Sequence, residues 1–169
     1  IAKQQIYLGD ETQTFLSREE VKNLNIPKGT LLPEEREIIN DHIVITIEML
    51  EQLPYPKQLK NIPEYAGGHH EKLDGTGYPK RLKGDEMSTQ AKIMAIADIY
   101  EALTAADRPY KDGKKLSQAM RIMGYMKNDY HIDVDLFEIF VKSGVYKDYA
   151  DKYIADTQID KVDEDAVLD

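Results

Sequence analysis

Pro33-Glu34-Glu35-Arg36-Glu37-Ile38-Ile39-Asn40-Asp41-His42-Ile43-Val44-Ile45-Thr46-Ile47-Glu48-Met49-Leu50-Glu51-Gln52-Leu53 is the stretch on which the fold class turns. Proline suits a first helical turn, and Ile39, Ile43, Met49, Leu50 and Leu53 recur at helical spacing. His42 and Thr46 fall on the same stripe, so this histidine is expected to point inward. A second long helix is expected from an N-cap at Ser88 through Ala91, Met94, Ala95, Asp98, Ala102 and Leu103. It is apolar almost all round and therefore expected to be central, with Asp98 the exception on its buried face. Between the two, Pro54 and Pro56 interrupt the chain, and Pro63 opens a short helix carrying Tyr65 and Ala66 up to His69. Gly67 and Gly68 would let that helix approach a neighbour or a ligand closely. Two further helices are expected over 117–127 and 133–142, the latter closed by Gly144, and Ser17-Arg18-Glu19-Glu20 has capping-box spacing for a short helix that Pro27 and Gly29 end. No strand alternation of useful length appears. The expected fold is all-α, a compact helical bundle.

Composition narrows the chemistry. The 169 residues suit one domain, expected to divide into a peripheral helical segment 1–28, a main body 29–144 and an acidic tail 145–169, whose part after Tyr153 is either surface-docked or the start of a linker. There is no cysteine, which removes disulfides, thiolate zinc sites and a Cys nucleophile; any metal ligand must be His, Asp or Glu. The net charge of −9 argues against a surface that coats polymeric nucleic acid. No apolar run reaches a membrane span and the opening Ile1-Ala2-Lys3-Gln4-Gln5 has no secretory pattern, so no membrane contact and a cytoplasmic location are expected. Basic residues nevertheless gather locally at Lys72, Lys80, Arg81 and Lys83 and at Arg108, Lys111, Lys114 and Lys115, which suits a small anionic ligand. The chain opens on Ile1 rather than Met, and the expectation is a piece of a longer protein with more domain on its amino side.

His69-His70-Glu71-Lys72-Leu73-Asp74-Gly75-Thr76-Gly77-Tyr78-Pro79 reads as a site, because two adjacent imidazoles run into a glycine-rich turn that no packing argument requires. Burying both rings without metals would demand partners for up to four ring nitrogens. His42, His69, His70 and Asp98 come from three successive helices, the way bundles assemble metal centres. Imidazole with carboxylate suits iron, manganese, nickel or zinc, and a paired centre suits phosphodiester hydrolysis. Arg108 and Lys111 could neutralise phosphate oxygens, and Tyr78 and Tyr110 could stack on a base. Plainer readings stand beside these: His42 as a satisfied core histidine, Asp98 as structural, the 74–77 turn as surface, Arg108 and Lys111 as a solvated face. His131, beside Asp129 and Asp133, reads as a surface residue, and Met120, Met123 and Met126 as core packing.

His69-His70-Glu71, Asp74-Gly75-Thr76-Gly77-Tyr78-Pro79, Ile96-Ala97-Asp98 and Asp107-Arg108-Pro109-Tyr110-Lys111 together closely resemble the HD-GYP family, with order and spacing kept from about Gly29 to Gly144. The resemblance implies an all-helical HD-superfamily bundle, incomplete at its amino-terminal side, around two or three divalent transition-metal ions, iron or manganese first. It implies hydrolysis of cyclic di-GMP to pGpG or GMP. It also implies metal ligation by His42, His69, His70 and Asp98, substrate contacts from Arg108 and Lys111, and a Gly75, Gly77, Tyr78 and Pro79 loop at the site opening. That loop would also meet diguanylate cyclase (GGDEF) domains, and an amino-terminal sensory domain would belong to the parent protein.

The upstream His-Asp doublet that names the superfamily is absent from these 169 residues, and Gly9-Asp10 is no substitute, so no catalytic aspartate is assigned. Thr46 stands where the family often has glycine, and Glu101 where it often has aspartate. Two rival readings follow: a catalytically degenerate module that binds a cyclic dinucleotide or a cyclase, and a related phosphohydrolase acting on another nucleotide, a mixed cyclic dinucleotide being one example.

Overall fold

The computed structural model describes residues 5–8, 11–26, 32–106 and 113–169. Contacts divide the chain into two units, Ile1–His42 and Ile43–Asp169. In the first, an antiparallel hairpin pairs β1 (Gln5–Leu8) with β2 (Glu11–Thr14), Leu8 opposite Glu11. The sequence reading saw no strand here. The signal was the two-residue Gly9-Asp10 spacer rather than hydrophobic alternation, which four-residue strands are too short to display. Helix α1 (Arg18–Leu24) starts as expected at Ser17, whose hydroxyl accepts the Glu20 N–H at 3.1 Å while the Glu20 carboxylate accepts the Ser17 N–H at 2.7 Å.

Helix α2 (Pro33–Glu51) runs unbroken through the boundary between the units. Its buried residues are Ile43 and Ile47, whereas Ile39, Met49 and Leu53 are exposed and His42 is an exposed position. The inward stripe expected from the sequence is therefore rotated. The cause is that α2 carries apolar residues on every side, Ile38, Val44 and Ile45 included, so periodicity alone does not choose a face.

In the second unit α3 (Ile62–Gly67) begins with Pro63 in its first turn and is pressed between neighbours through its glycines. A Cβ on Gly67 would lie 2.6 Å from the Ile47 side chain of α2, and one on Gly68 2.7 Å from the Ala91 Cβ of α4 (Thr89–Thr104). The close approach expected of this pair is what positions the following histidines. Helix α4 is capped as expected, the Ser88 hydroxyl accepting the Ala91 N–H at 3.2 Å. It is not buried all round: Ala91, Ala95, Ile96, Tyr100 and Thr104 face inward while Ile93, Met94 and Ala97 are exposed.

Helices α5 (Leu116–Asn128), α6 (Val134–Lys142), α7 (Val145–Tyr153) and α8 (Glu164–Leu168) complete an all-α body. Its core gathers Ile96, Tyr100, Met120, Met123, Phe137, Val141, Tyr146 and Val167. Met120 and Met123 are fully buried and Met126 packs against them, as expected of core. Gly144 takes the left-handed conformation at φ 74°, ending α6 and turning directly into α7. Residues 145–169 are held to this core: Val167 enters it, the Lys127 ammonium donates to the Leu168 carbonyl at 2.6 Å, and Asp160 accepts from the Ser117 N–H and hydroxyl, both at 2.8 Å. No helix among the described residues is long and apolar enough to cross a membrane.

Candidate metal centre

The ring nitrogens of His42, His69 and His70 lie within 4.8 Å of one another. His42 rides on α2, the helix that continues into Ile43 and Ile47, while His69 and His70 follow the end of α3. In two of the rings the tautomer is fixed by the backbone. His42 Nδ1 is hydrogen-bonded to the Ile39 carbonyl, and His69 Nδ1 to the Ala66 carbonyl at 2.6 Å. A carbonyl can only accept, so Nδ1 carries the proton and the lone pair sits on Nε2. This is the arrangement that presents Nε2 to a metal. Metal–nitrogen bonds of about 2.1 Å bring ligand nitrogens within about 4 Å of each other, so small ring rotations are enough to bring this trio into one coordination sphere. The residues fit a divalent ion.

His70 is held from two sides. Its ring centroid is 4.1 Å from that of His69 at an interplanar angle of 45°, and 4.8 Å from that of Tyr78 at 25°, a stacked geometry. Tyr78 is brought there by the 77–82 backbone folding back on residues 70–72. The Tyr78 N–H donates to the His70 carbonyl at 3.2 Å. Gly77 lies so close that a Cβ would meet the Lys72 nitrogen at 2.4 Å and the Glu71 Cα at 2.5 Å. Packing therefore does require part of this turn, contrary to the sequence reading: Gly77 is demanded by backbone touching backbone, a tertiary contact that no local pattern displays. Gly75, at φ 78°, sits in the turn that Asp74 closes by accepting from the Thr76 N–H at 2.8 Å and hydroxyl at 2.7 Å. The Tyr78–Pro79 peptide is cis.

Asp98, half-buried on α4, is not a member of the three-histidine cluster. Its charge is nevertheless felt nearby: burial raises the Tyr78 phenol above its usual pKa and the Asp98 carboxylate raises it further, so the phenol remains a protonated donor. Arg108, Lys111 and Tyr110 fall outside the described residues. His131, read from sequence as a surface residue, is half-buried beside Lys72 and Asp74, and burial is the main cause of its lowered pKa.

Glu71 is the residue whose part the sequence hid. It is 1% exposed, and its two carboxylate oxygens accept the backbone N–H groups of Lys80 at 2.6 Å and Leu82 at 2.9 Å. Its only sequence signal is its place between two histidines and a glycine turn.

A family model for the HD domain matches residues 18–136. The chain belongs to the HD domain family, and its Gly77-Tyr78-Pro79 turn after paired histidines places it in the HD-GYP branch. It is 34% identical over 137 residues, 78% of this chain, to a protein of Vibrio cholerae named probable cyclic di-GMP phosphodiesterase. It is 40% identical over 95 residues, 56% of this chain, to 3'3'-cGAMP-specific phosphodiesterase 3 of the same organism. With a cyclic di-GMP phosphodiesterase of Pseudomonas aeruginosa it shares 43% identity over 79 residues, 46% of this chain. These matches cover 31%, 20% and 18% of the relatives' own lengths, so the chain corresponds to a minor part of each.

Proposed function

We propose that this chain supplies the histidine-bearing part of a metal-dependent phosphodiesterase that hydrolyses cyclic di-GMP. The observation that carries the reading is the convergence of three imidazoles, two of them hydrogen-bonded through Nδ1 to backbone carbonyls so that Nε2 would be left for a metal. His42, His69 and His70 would hold the ions, with Asp98 as a further ligand and iron or manganese as the metal. When bound, such ions supply Lewis-acid polarisation of a phosphoryl oxygen and activation of the attacking water. The chain's own residues do the rest. The Ile39 and Ala66 carbonyls orient two imidazoles, the Tyr78 ring stacks on the third, and its phenol offers a proton-bearing donor at the edge of the site. Arg108 and Lys111 would neutralise phosphate charge, and the Gly75–Pro79 turn would flank the entrance and meet diguanylate cyclase domains. A cytoplasmic location and an amino-terminal sensory domain belong to the same proposal.

One observation favours a second substrate of the same class: some relatives are named for cyclic di-GMP and others for 3'3'-cGAMP. Both are cyclic dinucleotides with two phosphodiester linkages. The full-length protein loaded with Mn(II) or Fe(II) should cleave one or both, and the ratio of the two kcat/KM values assigns the preference. The His69→Ala His70→Ala variant should lose activity by more than about a hundredfold, removal of two ligands exceeding the usual effect of outer partners. No turnover of either nucleotide by metal-loaded wild-type protein would overturn the proposal in favour of a binding module.

A further inference from the structure

The geometry points to Glu71 as a positioning residue that sets the orientation of the His70 imidazole through Tyr78; this rests on the metal-centre reading above. The 77–82 segment is fastened to residues 70–72 at three places. Gly77 lies against the Glu71–Lys72 backbone, the Tyr78 N–H donates to the His70 carbonyl, and the Lys80 and Leu82 N–H groups converge on the Glu71 carboxylate. Between those two amides Arg81 adopts φ 56°, the left-handed conformation. A left-handed residue there turns the flanking N–H groups to one side and makes an anion-binding nest. The nest is filled by the chain's own carboxylate, each of whose oxygens accepts one of the two amides.

The clamp explains why the residue is glutamate. Glutamine would keep one acceptor but turn an NH2 donor toward the second N–H, and aspartate falls one methylene short of a carboxylate that is 1% exposed and bonded at both oxygens. Two residues before the first clamped amide, the Tyr78 ring stacks on His70 at 4.8 Å. Loosening the clamp releases the stack and lets the His70 ring turn away from the position shared with His42 and His69. Glu71 acts through the backbone that carries Tyr78.

Co(II) is the probe, used as the metal alone with the chain in its full length, reading the dissociation constant and the visible ligand-field spectrum. Wild-type chain should bind Co(II), and His69→Ala His70→Ala should abolish the spectrum. If that double variant binds as wild type does, the metal-centre reading falls and this inference with it. With that control in place, Glu71→Gln should weaken Co(II) by about 10- to 100-fold, the usual range for partners that orient metal ligands, with an altered spectrum and unchanged helical circular dichroism. Tyr78→Ala, which leaves the clamp intact, should reproduce the weakening, and Tyr78→Phe, which keeps the ring, should recover the affinity that Tyr78→Ala loses. Wild-type Co(II) binding by Tyr78→Ala overturns the positioning role whether or not Glu71→Gln folds, while the metal centre stands.

Discussion

At the scale of single residues, His131 links burial to acid stability. Burial is the largest cause of its lowered pKa; Lys72 lowers it further, and Asp74 and Asp129 pull the other way without prevailing. In the unfolded chain the same imidazole takes up its proton near pH 6.5. Below that pH, until the lower folded value is reached, the unfolded state binds more protons, so stability falls as the pH falls. Urea unfolding midpoints measured from pH 7.5 down to 5 should decline for the wild type and decline less for His131→Gln. Equal slopes in the two proteins would show that the ring is as solvated as the sequence reading supposed. That reading failed at His131 because its sequence neighbours Asp129 and Asp133 are polar, while the half-buried ring also feels Lys72 and Asp74, which sequence proximity does not reveal. The clamp role of Glu71 and the packing role of Gly77 escaped for the same reason: their partners are backbone groups brought by a fold-back. The paired histidines were legible because two adjacent imidazoles have few uses outside a site, and His42 was legible as a residue type but not by its face.

At the scale of elements, helix starts were the best-read feature, since a cap is a contact within four residues. Ser17 and Ser88 cap the helices their positions foretell, and Asp133, read as the first residue of its helix, turns out to be its cap. Asp133 does more than cap. Its carboxylate accepts the Leu136 N–H at 3.2 Å and the Lys92 ammonium of α4 at 3.0 Å, the pair being 20% and 18% exposed. Burial pushes this carboxyl up, yet the hydrogen bonds from Lys92 and Leu136 outweigh it and the pKa ends below 3.8. Its contribution is therefore complete above pH 3.8 and is lost as the pH falls through the folded value. Asp133→Ala should cost about 1–2 kcal/mol at pH 7, a cap plus a half-buried tie between α4 and α6. In guanidinium titrations the gap from wild type should narrow at pH 3; an unchanged gap would mean the charge adds nothing. Helices α7 and α8 were not legible. Each buries little, Tyr146 and Ala150 in one and Val167 in the other, so an amphipathic period has too few points to register.

At the scale of the whole molecule, the folded body extends past the family match, which stops at 136, to Val167. The last residues look like an acidic tail in composition, but their attachments are specific. The Gln158 amide donates to the Thr104 and Lys114 carbonyls, both at 2.9 Å, across the two ends of the α4–α5 connection. Gly124 leaves room for the Val167 carbonyl, which a Cβ would meet at 2.8 Å. Lys127, 7% exposed, directs its ammonium to the Leu168 carbonyl. Composition averages over these few anchors and misses them. Removing residues 154–169 should therefore destabilise the remaining chain by about 3–5 kcal/mol. Roughly 2 of these come from uncovering Val167's share of the core, and about 1–3 from leaving a nearly buried ammonium without its acceptor. A second change separates the two terms, because Lys127→Met in the shortened chain removes the stranded charge and should recover about 1 kcal/mol or more, as apolar replacement of an unpaired buried ion does. Denaturant unfolding of wild-type, shortened and shortened Lys127→Met chains measures both, and a shortened chain as stable as the wild type would return residues 154–169 to the status of a solvated tail.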